Sequence, residues 1–439
     1  MISGEQIALK LKKFFIKDDK NKKKVKAKTV KKKVTKKVAP VKSIKKSPKK
    51  LVKKDIKKAV KKKANKNAKE VEKKERYIKA PKVLKKFLGN PILEPDFQSV
   101  WESKAVFNPA AICVGGKVHL VYRAIGDNDV SVLGYAVSED GLTIDEKAVE
   151  PIYAPDRTIV AKHKRKRSKA LCESGGSWGG GCEDPRLTVI DEAVYMIYTA
   201  FDGWGSLRLM MASIDLDDFC RQRWNWGKPV HISPPGQIHK NWVLFPEKVN
   251  GKYAILHNVY PNVEIDFFDS LDDLDGEYHI CSAFKGREKR DGHWDTWVRG
   301  AGATPIKTDH GWLLFYHAMD ERDPNKYKIG AMILDSDDPT KIVYRSKTPV
   351  LEPDEFYENA GHKVGVVYSC GAVVTENNQL LVYYGGADTV VCVAQADLTD
   401  FIEKIFAGEQ PQFKKSKVKN IIKNKKVSKE AISNGRKRK

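Results

Sequence analysis

The sequence predicts an all-β fold: a five-bladed β-propeller flanked by disordered lysine-rich N- and C-terminal tails. Three observations carry this expectation. Five turn-led segments recur at a spacing of roughly 60–75 residues, which is too long for a helical solenoid and suits elaborated four-stranded blades. Each segment has a hairpin signal at its middle. Between Pro81 and Phe406 helical patterning is sparse, Leu398–Ala407 being one short candidate.

The repeats run from Asn108-Pro109 to Tyr122-Arg123, from Glu183-Asp184-Pro185-Arg186 to Tyr198-Thr199, and from Phe245-Pro246-Glu247 to His257-Asn258. The last two run from Gly302-Ala303-Thr304-Pro305 to Tyr316-His317 and from Cys370-Gly371-Ala372 to Tyr384-Gly385-Gly386. Their hairpin signals are Gly115-Gly116, Asp191-Glu192, Asn250-Gly251, His310-Gly311 and Asn377-Asn378. Alternation is clear in Lys117-Val-His-Leu-Val-Tyr122 and Gly311-Trp-Leu-Leu-Phe-Tyr316. Pro91-Ile-Leu-Glu-Pro-Asp96 recurs at Pro349–Asp354 and, more loosely, at Pro151–Asp156. These read as turn-plus-edge segments at blade entries, because proline cannot donate to a central ladder. The polar residues that close the repeats differ from one another, whereas a purely structural repeat would keep them alike. In a ring, equivalent positions face one central cavity, so function is expected there.

The 439 residues carry a net charge of +25, unevenly spread. Residues 1–90 contribute about +29 and residues 412–439 about +11, leaving the middle near about −15. The expected organisation is therefore a disordered tail over 1–80, a propeller over 81–411 and a basic tail over 412–439. The first tail cannot bury enough apolar surface to offset its ordering entropy. Phe14-Phe15-Ile16 within Gln6–Lys17 suggests a short amphipathic helix, and Ser47-Pro48-Lys49-Lys50 resembles the minor-groove-binding element of linker-histone tails. Such tails attach to nucleic acid or other polyanions by counterion release, without sequence specificity. No folded nucleic-acid reader accompanies them.

Seven cysteines without Cys-x-x-Cys spacing argue against a zinc site and against a disulfide framework. No apolar run approaches a membrane span, and the start lacks a signal-peptide core, so a cytoplasmic setting without membrane partners is expected. Residues 157–182 break the rhythm with His163-Lys-Arg-Lys-Arg167 and Gly175-Gly-Ser-Trp-Gly-Gly-Gly181, the pattern of a substrate-binding loop or lid.

The densest chemistry is Gly181-Cys182-Glu183-Asp184-Pro185-Arg186. Neighbouring strand residues point to opposite faces, so one carboxylate of Glu183 and Asp184 is expected to reach the cavity. Read as structure alone, Asp184 would cap the turn and Arg186 would pair with Glu183. The other clusters place Arg123, Lys240, Asn241, His257, Asn258, Arg299, His317, Tyr327 and Asp388 at loops or strand ends. One or two carboxylates among several cationic and amide donors suit a polyhydroxylated or phosphorylated ligand. Trp204, Trp242, Trp294 and Trp297 are candidates for stacking on sugar faces or for packing between blades.

From about Asn90 to Thr399 the chain resembles glycoside hydrolase family 130, five-bladed propellers that include β-mannoside phosphorylases and β-mannosidases. The matching segments are Gly181–Arg186, Val243-Leu-Phe-Pro246 with Gly251-Lys-Tyr253 and His257, and Gly300-Ala-Gly302 with Pro305-Ile306. Gly311-Trp-Leu313, Tyr316-His317 and Tyr383-Tyr-Gly-Gly-Ala-Asp388 complete the set. The tails have no counterpart in the family.

The resemblance implies that Asp184 is the general acid, protonating the leaving oxygen through a mannosyl hydroxyl while phosphate attacks the anomeric carbon with inversion. It implies that Asn108, Arg123 and Asp388 hold the mannosyl unit, with Glu183 and Arg186 beside them. It implies a phosphate site at Lys240, Asn258 and Arg299, with Asn241, His317 and Tyr327 nearby. Asn258 departs from the arginine of that pattern. No metal or cofactor is implied; inorganic phosphate is the co-substrate, the partner is a β-mannoside oligosaccharide, and related proteins often form homo-oligomers. Hydrolytic members carry glutamates at cationic positions, and none stands at Lys240, Asn258, Arg299 or His317. Phosphorolysis is the leading expectation. Hydrolysis of β-mannosides and non-catalytic binding of carbohydrate or polyanion stay open beside it.

Overall fold

The structure is a computed structural model and describes residues 83–154, 180–201, 207–282 and 288–407, all within Ile78–Lys439. Both basic tails, the Gln6–Lys17 helix, the Ser47-Pro48-Lys49-Lys50 element, residues 157–179 of the glycine-rich loop and Trp204 lie outside the described residues.

The described chain is all-β, built as five antiparallel meanders. A two-residue strand, β1 (Lys85–Lys86), precedes them. The first meander comprises β2 (Ala105–Val114), β3 (Lys117–Ile125), β4 (Ser131–Ser138) and β5 (Glu146–Lys147). The second comprises β6 (Gly181–Ile190), β7 (Ala193–Phe201) and β8 (Leu207–Asp215), then helix α1 (Leu216–Cys220) and β9 (Val230–His231). The third is short: β10 (Val243–Leu244), β11 (Tyr253–Asn258) and β12 (Glu264–Phe268). The fourth holds β13 (Trp297–Ala301), β14 (Ile306–Thr308), β15 (Gly311–Asp320), β16 (Asp323–Leu334) and β17 (Ile342–Arg345). The fifth holds β18 (Val367–Val374), β19 (Gln379–Gly386) and β20 (Val390–Asp397), followed by α2 (Leu398–Ala407), the helix the sequence suggests.

Hydrogen bonding groups these strands into four sheets rather than five separate blades. The first two meanders merge because Ser131 and Gly181 form one parallel pair between β4 and β6. A side-chain carbon on Gly181 would lie 2.1 Å from the Ser131 carbonyl, so only glycine allows this approach. The first strand completes the last sheet: β1 pairs antiparallel with β20, Lys85 opposite Gln395.

The five hairpin signals fall between paired strands. Gly115, Gly116, Asp191, Asn250, Gly251, Gly311 and Asn378 take the positive φ such turns need. The three proline-flanked segments behave alike. Leu93, Tyr153 and Leu351, the third residue of each copy, make single antiparallel bridges to Val391, Leu133 and Ile329.

Alternation decides which core each side chain enters. In β15, Leu313 and Phe315 pack with Val367, Leu380 and Val382 of the fifth meander. The intervening Trp312, Leu314 and Tyr316 pack with Val243, Phe245 and Leu256 of the third. Ala110, Val121 and Leu133 of the first meander meet Leu187, Met196 and Tyr198 of the second. Ile197, Leu209 and Met211 of the second meet Leu244, Ile255 and Phe268 of the third. Leu120 and Tyr122 of the first meet Leu381, Tyr383 and Val391 of the fifth. Both faces of these central strands are buried, so they read as nearly continuous apolar runs. Burying each Leu, Ile, Val or Phe side chain contributes about 1.5–3 kcal/mol.

The aromatic residues that close the repeats are structural. Tyr122 donates to Glu102 Oε2 at 2.9 Å, Tyr316 to Asp295 Oδ2 at 2.8 Å and Tyr384 to Glu358 Oε1 at 2.9 Å, all buried. Hydrogen bonds to a carboxylate of this kind contribute about 1.5–3 kcal/mol each. The six described cysteines are free, and no helix among the described residues is long and apolar enough to cross a membrane.

Candidate active site

Asn108-Pro109 and Asp184-Pro185 interrupt β2 and β6 in the same way. Register slips between Phe107 and Ala110 and between Glu183 and Arg186, and both Asn108 and Asp184 sit at φ 49°. Asn and Asp tolerate this left-handed region better than other L residues, and the proline that follows removes a ladder donor. The bulge re-aims one side chain out of the strand's alternation. In the fourth and fifth meanders the register slips between Val298 and Gly300 and between Ser369 and Gly371.

Asn108 and Asp184 thereby meet. Asn108 Nδ2 donates to Asp184 Oδ1 at 2.8 Å. Arg123, from the end of β3, donates Nη1 to the same oxygen at 3.1 Å, Nη2 to Glu183 Oε1 at 2.7 Å and Nε to Ser131 Oγ at 3.0 Å. Lys240 Nζ lies 3.4 Å from Glu183 Oε2. Burial pushes the Asp184 carboxyl up, but Arg123, Lys240 and Arg186, with the Asn108 amide, outweigh it and hold the carboxyl well below its usual range. Asp388 shifts the other way: burial raises it, opposed by Lys363 and Arg123 and reinforced by Asp184.

These residues line one cavity of about 740 Å³. Of the residues singled out from sequence, Asn108, Arg123, Asp184, Lys240, Asn241, Trp242, His257, Asn258, Arg299, Tyr327 and Asp388 line it. The cavity carries both signs of charge, Asp323 and Lys363 included. The first, second and fifth meanders bring the carboxylates Asp184 and Asp388 with Arg123. The loops and strands of the third and fourth bring Lys240, Asn258, Arg299 and Tyr327.

Glu183, Arg186 and His317 are absent from that lining, which corrects the expectation of direct ligand contact for them. Glu183 is fully buried behind the cavity wall and receives Lys240 and the same Arg123 guanidinium that holds Asp184. Arg186 is not its partner. Its guanidinium is buried and donates to the carbonyls of Asp184 at 2.7 Å and Gly302 at 3.2 Å, and to Asn241 Oδ1 at 2.9 Å. Asn241 also accepts from the Tyr368 hydroxyl and donates Nδ2 to the Arg299 carbonyl at 2.9 Å, so Arg186 braces the backbone of Arg299 from beneath. His317 is fully buried, its Nε2 against the Ser369 backbone and its ring stacked on Tyr368 at 3.9 Å. Burial first, and Arg186 next, lower its pKa to about 3, so the imidazole is neutral.

Asn258 lines the cavity, and its buried Nδ2 has no hydrogen-bond partner among the described residues. Burial raises the pKa of the Tyr327 hydroxyl, and the charge of Arg299 opposes that rise. Trp242 lines the cavity with its ring against His239 and His257, whereas Trp294 is buried against Tyr316 and donates Nε1 to the Ser346 carbonyl. Trp297 opens β13 under the Lys289 ammonium.

Sequence reasoning missed Lys363, Lys326, Tyr368 and His239, which also line the cavity. Tyr368 stands two residues before the Cys370 at which the fifth repeat was taken to begin. Lys363 lies between repeats, and its one signal was the bracket of Gly361 and Gly365. Outside the cavity, Asp215, Asp217 and Asp218 are close enough to hold a cation. Arg221 and Arg223 already pair with Asp217 and Asp218.

Comparison with known proteins identifies the family. The glycoside hydrolase family 130 pattern, described as beta-1,4-mannooligosaccharide phosphorylase, matches residues 89–405. A 1,2-beta-oligomannan phosphorylase of Thermoanaerobacter sp. (strain X514) is 37% identical over 327 residues, covering 72% of this chain and 98% of the relative. A beta-1,2-mannobiose phosphorylase of the same organism is 35% identical over 325 residues, 71% of this chain and 96% of the relative. Among solved structures, a glycosyl hydrolase from Bacteroides ovatus superimposes with a TM-score of 0.57 at 25% identity, over 72% of this chain and 94% of that one. With its pattern matched across nearly the whole described region and two relatives covered almost end to end, the chain belongs to glycoside hydrolase family 130.

Proposed function

We propose that this protein is an inverting β-mannoside phosphorylase built as a five-bladed propeller. Cyclic packing supports the ring: the first meander packs on the second, second on third, third on fourth, fourth on fifth, and fifth on first. The observation that carries the activity is one cavity lined both by Asp184, held by Asn108 and Arg123, and by the cations Lys240 and Arg299. Asn108, Arg123 and Asp388 hold the terminal mannosyl unit. A phosphate oxygen forms its bond to the anomeric carbon as the bond to the acceptor oxygen breaks. The proton passes from Asp184 through a mannosyl hydroxyl to that oxygen, giving α-mannose 1-phosphate and a shortened acceptor.

The acid must carry a proton at that moment, yet the protein's own cations hold Asp184 low. A dianion among Lys240 and Arg299 opposes their field and raises the carboxyl. Phosphate thereby primes the acid as well as attacking.

The relatives at 37% and 35% identity make β-1,2-linked mannosides the first substrates to try, with β-1,4-linked ones next. The test is product release from β-1,2- and β-1,4-mannobiose with and without inorganic phosphate. Mannose 1-phosphate formed only with phosphate supports the reading, and free mannose formed without it replaces the reading with a β-mannosidase. The uncharged Asn258 is the observation that favours this second reading. The lysine-rich ends fit salt-sensitive attachment to polyanions in a cytoplasmic setting, and DNA binding by the full chain that ignored salt would reject that.

A further inference from the structure

A cavity that takes a phosphate dianion needs positive charge that the protein has not already committed to its own carboxylates. Most of the cations here are committed. Arg123 is bound to Glu183 and Asp184, Lys240 stands 3.4 Å from Glu183, and Lys326 stands 3.6 Å from Asp323. Of the lysines and arginines lining the cavity, Arg299 and Lys363 have no carboxylate within 4.0 Å among the described residues, although the Lys363 charge acts on Asp388 from farther away.

The two converge on one ring. Burial raises the pKa of the Tyr327 hydroxyl and the Arg299 charge opposes it, while Lys363 Nζ lies 5.8 Å from the centroid of the same ring. Lys363 is held there by its backbone. Its N–H donates to the Ala387 carbonyl at 2.9 Å, next to Asp388, and the His362 N–H donates to Thr389 Oγ1 at 2.9 Å. The Tyr327 N–H donates to the Gly365 carbonyl at 2.8 Å. A side-chain carbon on Gly361 would come within 2.4 Å of Thr389 Oγ1, so the segment is packed directly against the β19–β20 turn.

We propose that Lys363 is a phosphate-binding residue that acts with Arg299 and supplies the charge that Asn258 lacks. This rests on the phosphorylase reading. An ammonium on a flexible stem serves as a point charge with three donors and needs no planar match to the oxyanion, so it can reach across from the fifth meander.

Steady-state kinetics on β-1,2-mannobiose with phosphate varied test it, using Lys363→Met, Lys363→Arg and the double variant Lys363→Met with Asn258→Arg. Loss of a charge-assisted contact raises the phosphate KM of Lys363→Met about tenfold or more. In that variant kcat at saturating phosphate and the mannobiose KM stay within about threefold of the parent. Lys363→Arg keeps a near-parental phosphate KM, and the double variant recovers most of the loss. The rise in Tm on adding phosphate, large in the parent, shrinks in Lys363→Met and gives a readout independent of turnover. An unchanged phosphate KM in a folded Lys363→Met protein overturns the assignment. So does a rise confined to the mannobiose KM, which would make Lys363 a partner of Asp388 alone. A parent that turns over without phosphate and gains no Tm from it overturns the phosphorylase reading itself, and Lys363 falls with it.

Discussion

Asn108-Pro109 and Asp184-Pro185 are the same piece of backbone twice. Both bulge at the same place in a first strand, both hold φ at 49°, and both put a short side chain into the cavity. They differ in one atom, an amide nitrogen against a carboxylate oxygen, and that nitrogen donates to the neighbour's carboxylate. The repeat therefore supplies a strained platform, and the identity of one atom separates support from chemistry. Strain of this kind costs about 1–3 kcal/mol per residue and persists where the surroundings over-determine it.

The largest effect comes from erasing the difference. Asp184→Asn gives both bulges an amide, and the rate of phosphorolysis is expected to fall about 10³-fold or more with the circular dichroism spectrum unchanged. A near-parental rate in that variant would remove Asp184 from the role of acid.

Disturbing the platform beneath Asn108 comes next. In Gly385→Ala the added carbon lies 2.2 Å from Asn108 Oδ1 and 2.8 Å from its backbone nitrogen, so Asn108 has to shift. The expected outcome is a loss of about 1–3 kcal/mol in denaturant unfolding and a rate lower by about tenfold to a hundredfold. Parental values for both would mean that the position of Asn108 does not matter.

Asn108→Asp makes the smaller and more selective change. A second carboxylate at this distance raises the affinity of the pair for a proton. An acid with a raised pKa stays protonated to higher pH, so the basic limb of the pH–rate profile is expected to move up by about one unit. A basic limb that stays still or moves down breaks the pairing of the two bulges.

Arg123 and His317 close equivalent strands, one a paired cation and the other a buried neutral ring, and that contrast gives the smallest effect. With its folded pKa lowered to about 3, His317 binds a proton more readily in the unfolded chain. Its contribution is intact above an unfolded value of about 6.5 and declines as pH falls toward 3. The unfolding midpoint of His317→Gln should fall less steeply over that window than that of the parent. Equal slopes would show that other groups govern acid sensitivity.

Much of the fold was legible because its signals are local. Gly115-Gly116, Asn250-Gly251 and the proline-flanked segments at Leu93, Tyr153 and Leu351 encode turns and edges within a few residues. Alternation suggests that one of Glu183 and Asp184 reaches the cavity; Asp184 lines it and Glu183 does not, although Arg123 holds both. Legibility failed where a role depends on what stands behind a side chain. Arg186 resembles a ligand-binding arginine in sequence, yet carbonyls and an amide from other meanders enclose it. His317 resembles a phosphate ligand, yet Tyr368 covers it.

The amino-acid sequence by itself determined the period of the repeats, the place of each hairpin and the strain-tolerant Asn and Asp at two bulges. It also determined the uneven spread of charge along the chain. These follow from steric and hydrogen-bonding limits that act over a turn or two of chain. Only the tertiary structure decided which cations are committed to carboxylates and which are free, since ion pairing depends on distances between segments far apart in sequence. Lys240 and Lys363 are alike as residues. One stands 3.4 Å from Glu183 and the other has no carboxylate within 4.0 Å among the described residues, a difference that the residue type does not encode.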